Sequence, residues 1–141
     1  MTTYYQLLRR GTILIPTGPC YHLHVICNDP VFYPRTQKDS VLLVNISTVS
    51  PLINYDQTCL LNVGDHPFIK HESYVYYRKA DIFGTHSIQR SIADGSFIAD
   101  APFRQEVFEQ ILSGFSTSRE VSLKIKRFYE NYCLQSAVDS L

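Results

Sequence analysis

A chain of 141 residues has the length of one ordinary domain, and a 45% hydrophobic composition supplies a single core without staples. Thirteen Lys and Arg balance thirteen Asp and Glu, which excludes the basic coat of a general polyanion binder, and ten Tyr and eight Phe in an 18% charged chain argue against disorder. No run approaches the ~18 apolar residues of a membrane span, and residues 1–11 lack the pattern of a secretory signal, so a cytoplasmic protein with no membrane partner is expected.

Taken in chain order, residues 1–83 read as strands and turns and residues 84–141 as helices, within one domain spanning 1–141. Thr12-Ile13-Leu14-Ile15 is a short strand ended by Pro16. Residues 21–27 form the next, where a period of two sets His22 and His24 on one face and Leu23 and Val25 on the other. Asn28-Asp29-Pro30 breaks it, and a polar loop through Pro34, Thr36 and Asp39 leads to residues 41–48. The apolar opening of that third strand predicts burial on both faces. Residues 58–63 and the aromatic stretch 73–82 complete five strands with no helix between them, which predicts an antiparallel barrel-like sheet. Three helices follow. The first is capped by Thr85 and carries Ile88 and Ile92, and the second runs from an Asp100 cap through Phe103, Val107, Phe108, Ile111 and Leu112 to a stop at Gly114. The third begins at a Thr117/Glu120 capping box and carries Val121, Ile125, Phe128, Tyr129 and Tyr132. Cys20, Cys27, Cys59 and Cys133 are expected as reduced core residues.

The densest reactive stretch, Gly64 to Ser73, packs His66, His71, Lys70 and two carboxylates into one loop before the aromatic strand. Its bland reading is a solvated surface loop. His22 and His24 supply a second pair of imidazoles on a strand that could lie beside it. Cys20, His22, His24 and Cys27 do not form a zinc site, because Cys27 falls on the other strand face. A site built from the four histidines stays open, although no metal or cofactor is assigned. Paired imidazoles meet the requirement for transesterifying RNA: a base for the 2′-hydroxyl, an acid for the leaving 5′-oxygen and a cation or hydroxyl for the phosphorane. His22, His24, His66 and His71 are the acid/base candidates; Ser47, Thr48, Lys70 and Arg78 are the stabilising ones. Tyr74, Tyr76 and Phe68 are candidates for stacking on unpaired bases.

The order of elements resembles the PemK/MazF-type toxins of toxin–antitoxin modules. The likeness runs over about residues 9–95 and rests on Arg10-Gly11-Thr12-Ile13-Leu14, on Ser47-Thr48 after Val41-Leu42-Leu43-Val44, and on Ser73-Tyr74-Val75 leading into Lys79-Ala80-Asp81-Ile82. It implies a small antiparallel SH3-like β-barrel with C-terminal helices packed on it, an α+β fold. It also implies a homodimer, metal-independent cleavage of single-stranded RNA and neutralisation by a cognate antitoxin protein, with Thr48 in the catalytic role. The arginine that the family places after its first strand has no counterpart in Gly18-Pro19-Cys20-Tyr21-His22, so His22 and His24 are assigned its work. The other reading is a non-catalytic toxin-like or regulatory module acting through a protein partner. In that case the residue 101–132 helices, with Lys124, Lys126 and Arg127, are the docking element.

Overall fold

A computed structural model describes residues 5–134. It shows one eight-stranded antiparallel sheet and three α-helices. The strands are β1 (Thr12–Thr17), β2 (Cys20–Ile26), β3 (Val31–Tyr33), β4 (Lys38–Thr48), β5 (Leu60–Leu61), β6 (Ser73–Val75), β7 (Asp81–Gly84) and β8 (Ile98–Asp100). The helices are α1 (Thr85–Ala93), α2 (Gln105–Thr117) and α3 (Leu123–Phe128), the last running into a π-helical turn at Tyr129–Cys133.

The axis of the sheet is β4. Its apolar run is buried on both faces as expected, because alternation sends Leu42, Val44 and Ile46 into the larger core and Val41 and Leu43 into a smaller one. The larger core holds Leu23, Val25 and the apolar stripes of α2 and α3, including Phe108, Ile111, Phe115 and Phe128. In the smaller one Ile13 and Ile26 meet Ile88 of α1. Each of these side chains contributes roughly 1.5–3 kcal/mol by leaving water.

Each edge of β4 is served by two strands in series. On one edge β2 pairs with residues 43–46 and β3 with residues 38–40. Asn28 spans the break between them: its Oδ1 accepts from the Leu42 N–H at 2.8 Å and its Nδ2 donates to the Ser40 carbonyl at 3.3 Å. The other edge pairs with β6 and then β7, separated by a 3₁₀ turn at Tyr77–Lys79. Beyond these, β5 lies on β6 and β8 on β1.

Several expectations change here. The sheet is not closed: β5 and β8, at its two ends, do not pair, so the predicted SH3-like barrel gives way to an open sheet. The predicted fifth strand over 73–82 is broken by the 3₁₀ turn, and the strand predicted over 58–63 shrinks to Leu60–Leu61. β3 lies in the predicted polar loop, and β8 falls inside the part read as helical, between α1 and α2. Asp100 ends β8 rather than capping α2, whose N-cap position is Arg104.

Gly114 does not stop α2 but sits inside it. A Cβ at that position would collide with the Tyr77 ring, whose hydroxyl donates to the Ile111 carbonyl at 2.6 Å. Thr117 belongs to α2, and α3 is capped by Ser122, whose hydroxyl accepts from the Ile125 N–H at 3.3 Å.

Candidate functional site: a cleft between parting strands

After the Leu23–Ile46 pair, β2 and β4 separate. β2 continues to Cys20 along β1, whereas β4 continues to Thr48 along β6. The gap is a cleft of about 640 Å³, and its walls include His22, Ser47, Thr48, Phe68, Lys70 and His71. His22 and Thr48 occupy opposite alternation faces of the sheet, since Leu23 and Ile46 share the larger core and Ser47 pairs with Tyr74. A gap between strands, unlike a sheet face, draws residues from both sides.

The loop that closes the cleft is held from below. Gly64 takes a positive φ of 102°, and the Asp65 carboxylate accepts from the Asn62 N–H at 2.7 Å. His66 is then turned inward and is 2% exposed. The Phe68 N–H donates to its Nδ1 at 3.0 Å, which assigns the proton to Nε2, and Nε2–H donates to the Ala101 carbonyl at 2.7 Å. The Thr12 hydroxyl lies 3.2 Å from the same nitrogen and donates to the same carbonyl at 2.7 Å. The imidazole also lies 4.9 Å from the Phe103 ring. Arg104 adds a bond from Nη1 to the Gly64 carbonyl at 3.1 Å and an exposed contact with Asp65 at 3.6 Å. The two ends of the open sheet are therefore tied by side chains where a barrel would use a strand ladder.

The predicted site residues sort into three groups. His22, Thr48 and His71 line the cleft with Ser47 and Lys70, five positions drawn from three separate stretches of chain. His24 and His66 do not join them. His24 shares the half-buried face of His22 and donates from Nδ1 to the His22 carbonyl at 3.1 Å, outside the cleft walls. Burial pushes its pKa down, the bond to His22 opposes that, and the neighbouring His22 ring adds to the lowering. His66 is consumed by the tie and has no access to solvent for chemistry.

Of the proposed substrate-binding groups, Tyr74 is packed between Tyr55 and Tyr76, with ring centroids 5.1 and 5.4 Å away. Burial raises its phenol, partly offset by a hydrogen bond with Ser47. Arg78 lies on the 3₁₀ turn, away from the cleft walls. Phe68 is the aromatic candidate that reaches the cleft, and it is partly exposed.

Two exposed wall residues were not read from the sequence as functional, Tyr21 and Cys20. Their signal was the Gly18-Pro19 turn, which ends the β1–β2 hairpin in solvent where a core cysteine has nothing to pack against. Cys27, Cys59 and Cys133 are buried free thiols as expected. Burial pushes Cys59 up to about 11 and Cys133 up to about 12. Among the described residues, no group of three or more His, Cys, Asp or Glu side chains is placed to hold a metal ion. No helix among them is long and apolar enough to cross a membrane. In comparisons with known proteins, no family model, curated protein or solved structure matches the chain.

Proposed function

We propose that the protein is a toxin-like endoribonuclease that cleaves single-stranded RNA by metal-independent transesterification in the β2–β4 cleft. The observation that supports this is that His22 and His71, distant in sequence, line one open cavity together with Lys70, Ser47 and Thr48. His22 and His71 serve as the acid/base pair: one takes the proton of the attacking 2′-hydroxyl, the other protonates the departing 5′-oxygen, and a 2′,3′-cyclic phosphate results. In this reading the Lys70 ammonium and the Ser47 and Thr48 hydroxyls, which line the same cleft, neutralise and bind the phosphorane oxygens. Phe68, at the wall, offers a face for an unstacked base. A homodimer and an inhibitory antitoxin partner belong to this reading.

The test is incubation of a single-stranded RNA with the protein in excess chelator, with products resolved by mass. Cleavage to 2′,3′-cyclic phosphate ends is expected, no cut at a 2′-deoxy position, and a loss of about 100-fold or more in His22→Ala and in His71→Ala. No cleavage, or full activity in both variants, removes the proposal. The second reading, a non-catalytic binding module, is favoured by Leu52 and Ile53, which stand 91% and 65% exposed on one loop. An intact RNA after prolonged incubation, with binding retained, would select it.

A further inference from the structure

A second concavity lies at the opposite end of β4, about 30 Å from the cleft at the rise of an extended strand. The turn from β3 to β4 is tightened by Gln37 and Thr36 N–H groups donating to the Tyr33 carbonyl at 2.8 and 3.2 Å, with Gln37 at a φ of 56°. The turn stands against α3 and the π-helical turn, and the space between them is about 190 Å³.

Its floor is aromatic. Tyr33 meets Phe128 and Tyr132 edge-on, with centroids 5.1 and 6.1 Å away. Its rim is cationic: Arg35 comes from the turn, Lys124 and Arg127 from one face of α3, and the Asn131 carboxamide from the turn that follows. No carboxylate lines the space. Lys124 touches Asp81 at 3.5 Å in an exposed pair that solvent weakens. Neither Arg35 nor Arg127 forms an ion pair among the described residues.

In a chain whose charges balance, three cations from two distant segments thus surround one small cavity with no acidic wall. Guanidinium groups present forked donors that match phosphate oxygens, and a lysine adds a mobile point charge. The volume falls below the ~300 Å³ from which pockets for drug-sized ligands begin, so it suits one phosphate with its attached sugar rather than a larger cofactor.

We propose that this cavity is a phosphate-ester subsite, occupied by a nucleotide phosphate held between Arg35 and Arg127. The phosphate comes either from an RNA strand or from a free mononucleotide, and the site stands whether or not the distant cleft is catalytic.

The experiment uses the full chain and three probes: a fluorescein-labelled 2′-O-methyl oligouridylate, which cannot cyclise and so is not consumed, uridine 5′-monophosphate, and inorganic phosphate. Binding is measured for Arg35→Glu, Arg127→Glu and the charge-matched control Arg90→Glu on α1, with circular dichroism confirming that each folds. The expected result is a loss of about tenfold or more in oligonucleotide affinity for each cavity variant, the scale of one charge-assisted hydrogen bond. The salt dependence should be reduced by about one phosphate, with little change in the control. Saturable binding of the mononucleotide or phosphate, lost in the same two variants, identifies a free ligand; binding of the oligonucleotide alone identifies a strand. Equal losses in all three variants, or no loss in the cavity variants, overturn the proposal.

Discussion

His66→Ala tests the tie that replaces barrel closure. The side chain is 2% exposed and its ring holds the Phe68 N–H at 3.0 Å and the Ala101 carbonyl at 2.7 Å. Truncation leaves the Phe68 donor without its acceptor and opens a ring-sized void against Phe103. The Ala101 carbonyl keeps the Thr12 hydroxyl and does not become an orphan. One unmade hydrogen bond at a partly buried amide costs about 1–3 kcal/mol, and a collapsed or partly collapsed void adds a comparable amount. We therefore expect a destabilisation of about 2–6 kcal/mol, a large fraction of the 5–15 kcal/mol typical of a domain. Urea unfolding followed by far-ultraviolet circular dichroism measures it, since the chain contains no Trp to report by fluorescence. His86→Ala, at an exposed position in α1, is the control and should shift the midpoint little. A His66→Ala midpoint no lower than that of His86→Ala would show that the sheet ends are not joined through this ring.

Gly114→Ala should destabilise by at least the 1–3 kcal/mol of ordinary overpacking, because its methyl enters the Tyr77 ring. In the same unfolding assay Tyr77→Ala should take away most of the added penalty in the double variant, and additive losses would refute the contact. Thiol titration of the folded protein with a disulfide reagent should release about one equivalent quickly, from Cys20, while the buried Cys27, Cys59 and Cys133 react on unfolding. Rapid reaction of a second thiol would contradict the burial. Asp56 is raised by its own partial burial but held below the usual carboxylate range overall by hydrogen bonds from Ser118 and Thr58. A carboxyl lowered in the folded state stabilises above its unfolded pKa and loses that contribution as pH falls through the folded value. Stability should accordingly drop below about pH 4, and Asp56→Asn should flatten that acid limb in unfolding curves collected across pH; an unchanged limb would place the titration elsewhere.

What could be read without coordinates was what lies within one element. The alternation that puts Leu23 and Val25 in the core and His22 and His24 on the other face is a property of a single strand, and the structure keeps it. The double burial of β4 was legible for the same reason. Features that depend on a distant partner were not. β3 and β8 are three residues each and become strands only because Lys38–Ser40 and Thr12–Leu14 lie alongside them. Gly114 carries a local stop signal, yet the Tyr77 ring that demands a missing side chain comes from 37 residues earlier in the chain. Of the four histidines read together, His66 is kept from the cleft because its partners Thr12 and Ala101 come from β1 and from beyond β8. Loop polarity alone could not distinguish it from His71.

The pairing of Thr12 with Asp100 and of Leu14 with Ile98 has a consequence during synthesis. Until Ile98–Asp100 has been synthesised and has left the ribosome, the outer rim of the first hairpin offers free amides and carbonyls to any other extended chain. The last part of the sheet to be made is thus the shield of the first, and an early termination would release a fragment with an unguarded, adhesive border.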